Sequence, residues 1–85
     1  MTWKVEFRPS ARAELLRLGR PVQARVLRSL HRLANAPRAA ASVKALKGGD
    51  EYRLRVGDWR VVYTLHDDVL MVLVVRIAHR RDVYR

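Results

Sequence analysis

Cysteine is absent, so neither a disulfide framework, a thiolate metal site nor a thiol nucleophile is open to this chain. Acidic residues are scarce, eight Asp and Glu against eighteen Lys and Arg. Long apolar runs are missing too. The longest uncharged stretch, VLMVLVV at 69–75, is far too short to cross a bilayer. The opening MTWKVEFRPS carries charges throughout and lacks the apolar core of a signal peptide. There is no internal repeat, no low-complexity segment, and no grouping of carboxylates or histidines at metal-ligand spacing. These absences predict a soluble, cytoplasmic protein with no membrane partner, no metal and no cofactor. At 85 residues it reads as one domain, 1–85, near the lower limit for burying its own core.

What is present is cationic. The apolar content of 49% argues for a globular fold, and the net charge is +10. Fifteen of the eighteen basic residues are Arg. A field of that sign favours polyanions such as RNA, DNA, an anionic membrane or an acidic protein. The guanidinium fork binds phosphate bidentately and stacks on bases, which an ammonium cannot do. Charge alone does not choose among these partners.

Residues 2–8, TWKVEFR, alternate Trp3, Val5 and Phe7 with charged residues and predict a half-buried strand. PSARAELLRLG predicts a helix capped by Ser10 and stopped at Gly19. A second helix follows with Pro21 in its first turn and Pro37 ending it; Val22, Val26, Leu30 and Leu33 form its apolar stripe, widened by Leu27 and Ala34. Arg20, Arg25, Arg28 and Arg32 take other faces, and His31 beside them reads as surface. PRAAASVKALKGGD (37–50) is a loose connection with room for an extra helical turn. Three strands complete the chain, 51–56, 59–66 and 69–77, with turns at Gly57-Asp58 and Asp67-Asp68. The last is apolar at both parities and predicts a central strand covered on both faces. The order β-α-α-β-β-β predicts an α+β fold, an antiparallel sheet with a two-helix hairpin packed on one face.

The turn at Gly57-Asp58 sets a register in which Arg55 faces Arg60 and Arg53 faces Val62. Side chains alternate with period two, so Leu54, Val56, Trp59, Val61 and Tyr63 share one face. Arg53, Arg55 and Arg60 share the other, where no acidic residue is expected to join them. Like charges directly across a strand pair are destabilising. Three guanidinium groups on one face therefore predict an anion site. Beyond the last strand, Arg80, Arg81 and Tyr84 add cations and a stacking surface of the kind that single-stranded RNA recognition uses. His79 is the imidazole nearest this patch, able in principle to act as acid or base.

The stretch YRLRVGDWRVVYTLHDDVLMVLVVRIAHRRDVY resembles the C-terminal half of RelE-type toxins of the RelE/ParE superfamily. The preceding strand, helical hairpin and LKG (46–48) match in order, so the resemblance spans essentially the whole chain. It rests on the basic-x-basic strand, the aromatic-Arg-x-x-Tyr strand and the basic segment ending in Val-Tyr. It implies a RelE-like fold and a toxin of a type II toxin–antitoxin system. It further implies a metal-independent endoribonuclease, an mRNA interferase that cleaves mRNA at the 30S ribosomal A site and so inhibits translation. Carried over by position, the family's two basic residues of the second strand fall on Arg53 and Arg55, its third-strand Arg on Arg60, its Arg after the last strand on Arg80 and its terminal Tyr on Tyr84.

Two departures bear on chemistry. The best-studied members carry Lys at positions 53 and 55, whereas this chain carries Arg, which does not lose a proton and is no general base. The segment before Tyr84 is also shorter than in those members, which leaves Arg81 and His79 beside Arg80 as RNA-binding candidates. The mechanism the resemblance implies is in-line attack by the RNA 2′-hydroxyl, with a 2′,3′-cyclic phosphate as product. Arg55 and Arg60 would clamp the phosphate with Arg53 assisting, Arg80 would serve the leaving group, and Tyr84 would stack on a base. The expected partners are an acidic antitoxin, in a hetero-oligomer, and ribosome-bound mRNA. The alternative is a ParE-type toxin, which inhibits DNA gyrase by binding, without RNA cleavage.

Overall fold

The computed structural model describes residues 2–38, 43–45 and 51–83. Strand β1 (Lys4–Phe7) keeps the predicted alternation, with Lys4 and Glu6 exposed and Val5 and Phe7 half-buried. Helix α1 (Pro9–Arg17) begins at its proline, with Arg8 in the capping position and no side-chain cap. Ser10 is therefore inside the first turn and not the expected cap. Proline lacks the N–H that a cap would satisfy, and its fixed φ already suits the first helical position. Helix α2 (Arg20–Leu33) likewise starts with proline in its first turn, after Gly19. The short link between the helices is held by Gln23, whose Nε2 donates to Leu18 O at 2.7 Å.

Val26, Leu30, Leu33 and Ala34 are buried and Val22 packs against them. Leu27 is 46% exposed, so the apolar stripe of α2 is narrower than its sequence suggested. The helix also ends at Leu33, short of Pro37. Pro37 is instead buried in the exit turn, where its carbonyl accepts a 2.8 Å hydrogen bond from Tyr63 Oη.

The sheet has five strands in the order β1-β5-β4-β3-β2, with β2 at Val43–Ala45, β3 at Glu51–Val56, β4 at Trp59–His66 and β5 at Met71–His79. The α+β architecture with a helical hairpin on one face is as predicted. Two features differ from an all-antiparallel four-stranded sheet. First, β1 pairs with β5 in parallel, making the sheet mixed. Short links force β3, β4 and β5 to alternate direction, the second being a 3-10 turn over Asp67–Val69 and not the expected turn at Asp67-Asp68, but β1 is separated from them by two helices, so no turn constrains its sense. Second, β2, inside the stretch that read as a loose connection, adds antiparallel to β3.

Strand β5 is central, but only its helix-facing side is fully covered, through Val72, Val74 and Ile77. The pairing steps from Val62–Arg76 to Tyr63–Val74, leaving Val75 as an extra residue on β5. This bulge lets Val74 and Ile77 face the same core despite their odd separation. Just past it, the Ile77 N–H donates to Glu14 Oε1 at 2.9 Å, fastening α1 to β5. Tyr63 is fully buried and stacks on Tyr52 with ring centroids 5.6 Å apart. Burial pushes its hydroxyl pKa upward, so it is a structural group. The opposite face carries only a small apolar cluster of Val62, Ala78 and Val83, with Val75 against it.

Candidate active site

The β3–β4 turn places the site. Gly57 adopts φ +58°, a left-handed conformation that a residue with Cβ resists, and Val56 pairs with Trp59 across it. The resulting register is the predicted one: Arg55 opposite Arg60, Arg53 opposite Val62 and Leu54 opposite Val61. Pairing of β4 with β5 sets Ala78 opposite Arg60 and Arg76 opposite Val62. Arg53, Arg55, Arg60 and Arg76 thus all spring from the face away from the helices.

Arg80, just beyond β5, is drawn to the hairpin turn. Its backbone N–H donates to Asp58 O at 2.7 Å, and its Nε lies 3.7 Å from Asp58 Oδ1. The electrostatics show that these groups act on one another. The pKa of Arg60 is lowered, first by partial burial, then by the charges of Arg53, Arg55 and Arg80, with Asp58 opposing. Arg60 is also held in place, for its Nη1 donates to Gly57 O at 2.8 Å and to Trp59 O at 2.9 Å. Its other guanidinium nitrogens project from an anchored group, the preorganisation that charge stabilisation requires.

One expectation fails on this face. Glu51 shares the parity of Arg53 and Arg55 and stands opposite Thr64. It adjoins Arg53 at the far end of the strand and leaves the Arg55–Arg60 pair without a carboxylate across from it. His79 pairs with Trp59, on the helix side of the sheet, and meets that ring edge-on at 5.5 Å. Its Nδ1 accepts the Arg81 N–H at 3.3 Å, so it serves the strand exit and does not join the arginines. Arg81 itself is exposed. His66 does share the face, bonded to Thr64 at 3.0 Å, but six residues along β4 from Arg60 is about 20 Å. Among the described residues no imidazole reaches the Arg55–Arg60 pair, and no group of His, Asp or Glu could hold a metal. Tyr84 and the LKG segment lie outside the described residues.

Sequence pattern alone does not single out Arg76. Its Nη1 donates to Val83 O at 3.2 Å and its Nη2 to Asp82 O at 2.8 Å. Val83 is buried against Val62 and Ala78. This clasp folds the C-terminal turn back onto the cationic face and fixes where the chain stands one residue before Tyr84. The signal for it in the sequence is a lone Arg that ends the run VLMVLVV.

The model of the family described as the ParE toxin of the type II toxin–antitoxin system parDE matches residues 5–84. A RelE-like toxin protein of Escherichia coli is 29% identical over 87 residues, spanning 99% of this chain and 92% of that protein. The fold is similar to that in the archaeal RelE–RelB complex of Pyrococcus horikoshii, with TM-score 0.83, 26% identity and coverage of 98% of this chain and all of that one. It is also similar to the E. coli RelBE toxin–antitoxin complex, with TM-score 0.77, 29% identity and coverage of 91% and 95%.

Proposed function

Because the chain belongs to the ParE/RelE family of type II toxin–antitoxin toxins, we propose that it is a ribosome-dependent endoribonuclease that cuts mRNA in the A site. The observation that carries this reading is the placing of Arg53, Arg55 and Arg60 on one sheet face with Arg80 drawn to the turn beside them. RNA brings its own nucleophile. The 2′-hydroxyl attacks the adjacent phosphorus, the P–O5′ bond breaks, and the products are a 2′,3′-cyclic phosphate and a 5′-hydroxyl. Arg55 and Arg60 hold the two non-bridging oxygens as they gain charge, with Arg53 supporting them. Arg80, beside the turn, faces the leaving oxygen. Tyr84 stacks on a base and splays the nucleotides toward in-line geometry. The chain supplies positioning and charge, and ribosomal RNA assists the proton transfers for which the arginines are unsuited.

Two of the solved relatives are complexes of RelE with RelB. We propose the same kind of partner here, an acidic antitoxin drawn by the +10 charge. The name of the matched family supports a second reading, a ParE-type toxin that binds DNA gyrase. Induction of the toxin separates them. Truncated mRNAs with intact DNA support the nuclease; gyrase-dependent DNA breaks with intact mRNA overturn it.

A further inference from the structure

Helix α2 and the β3–β4 turn enclose a second cationic feature, away from the sheet face. Arg25, Arg28 and Arg32 rise from α2 at spacings of three and four, which brings them to one side of the helix. With Ser29, Arg55 and the turn at Gly57 they line a cavity of about 260 Å³. The Arg25 guanidinium lies directly over the turn: a Cβ on Gly57 would meet its Nη2 at 2.9 Å. No carboxylate lines the cavity, and among the described residues none of these four guanidiniums has an ion-pair partner. The three arginines on one side of α2 repel each other, and an anion among them relieves that repulsion. A carboxylate presents one planar edge and satisfies one guanidinium fork. A tetrahedral phosphoryl group offers oxygens in several directions and suits donors converging from a helix and a turn.

We propose that this cavity is a phosphate-binding site, taking a phosphoryl group of an RNA backbone or of a free polyphosphate. Arg55 marks where the cavity borders the sheet-face cluster, since it lines the cavity and stands opposite Arg60 in the hairpin.

The test does not depend on cleavage. Isotope-labelled full chain is titrated with inorganic pyrophosphate while backbone amides are followed by NMR. The amides of Ser29, Val56 and Gly57 should shift together. The variant R25Q/R28Q/R32Q should lose pyrophosphate affinity at least tenfold, whereas R12Q, on helix α1 and outside the cavity lining, should retain it. A second arm measures binding of a fully 2′-O-methylated, uncleavable RNA against salt concentration. If RNA uses the cavity, the triple variant lowers the log–log slope by about 0.7 for each RNA phosphate it no longer neutralises. An unchanged slope with lost pyrophosphate binding assigns the cavity to free polyphosphate. Shifts confined to the sheet face, full affinity in the triple variant, or response to a Glu-rich peptide but not to pyrophosphate would overturn the proposal. The amide map on the unmodified chain decides even if the variant fails to fold.

Discussion

Replacing Arg60 with Ala separates a phosphate clamp from a structural arginine. Two terms govern the folding cost. The variant loses the hydrogen bonds to Gly57 O and Trp59 O. Such bonds contribute about 0.5–1.5 kcal/mol each, and the lower end applies where the freed carbonyls regain water. Against this, it removes repulsion from Arg53, Arg55 and Arg80, the charges that lower the Arg60 pKa. Cross-strand charge effects run to roughly 0.2–1 kcal/mol per pair. The terms nearly cancel, leaving a net change within about 1 kcal/mol, or under about 8 °C in Tm for a domain of this size. The catalytic loss is of another order. Removing one preorganised donor from a developing oxyanion costs about 100-fold or more in rate. That is about 2.7 kcal/mol of barrier, well above the folding change. The assay is paired: thermal melting of the purified variant, and single-turnover mRNA cleavage on programmed ribosomes. Wild-type cleavage by a folded variant would refute the clamp. Unfolding would show that the hairpin depends on the two hydrogen-bonded carbonyls.

Arg76→Met should leave the fold intact but release the C-terminal turn, lowering cleavage about tenfold or more for two lost charged hydrogen bonds. The Val83 methyl resonances should move, and Tyr84→Ala should add little further loss in that background; full additivity would show that Arg76 does not act through Tyr84. Tyr84→Phe should retain most activity and Tyr84→Ala lose it, if stacking is the main role. Equal large losses in single-turnover rates would point to the hydroxyl. Toxin stripped of metal should still cut ribosome-bound mRNA in a chelator that leaves the ribosomes intact, since no ligand group gathers among its described residues. Cutting that returns only when metal is restored to the toxin would refute this.

The hairpin register was legible because a two-residue turn and a period-two pattern leave one solution, and the pairing of Arg55 with Arg60 followed from it. Strand β1 showed its alternation but not its partner: its parallel pairing with β5 depends on residues brought together across nearly the whole chain, which local periodicity does not encode. Strand β2 is too short to impose a pattern on an Ala-rich stretch. The placement of His79 illustrates the limit most directly. Closeness in sequence to Arg80 suggested the cationic patch, yet its partner across the ladder is Trp59, and strand parity puts it on the helix side. Arg76 was overlooked because its value lies in two backbone carbonyls brought round by a turn. Leu27 shows that helical spacing identifies an apolar stripe but not its width.

The central claim is that RNA supplies the nucleophile and the arginine face holds the phosphate. The most direct measurement is single-turnover cleavage of two mRNAs on programmed ribosomes, identical except for a 2′-deoxy sugar at the nucleotide 5′ of the cut, with fragment masses read by mass spectrometry. The account predicts a 2′,3′-cyclic phosphate terminus from the natural message and no cleavage of the deoxy message. Cleavage of both at equal rates, or of neither, would contradict it.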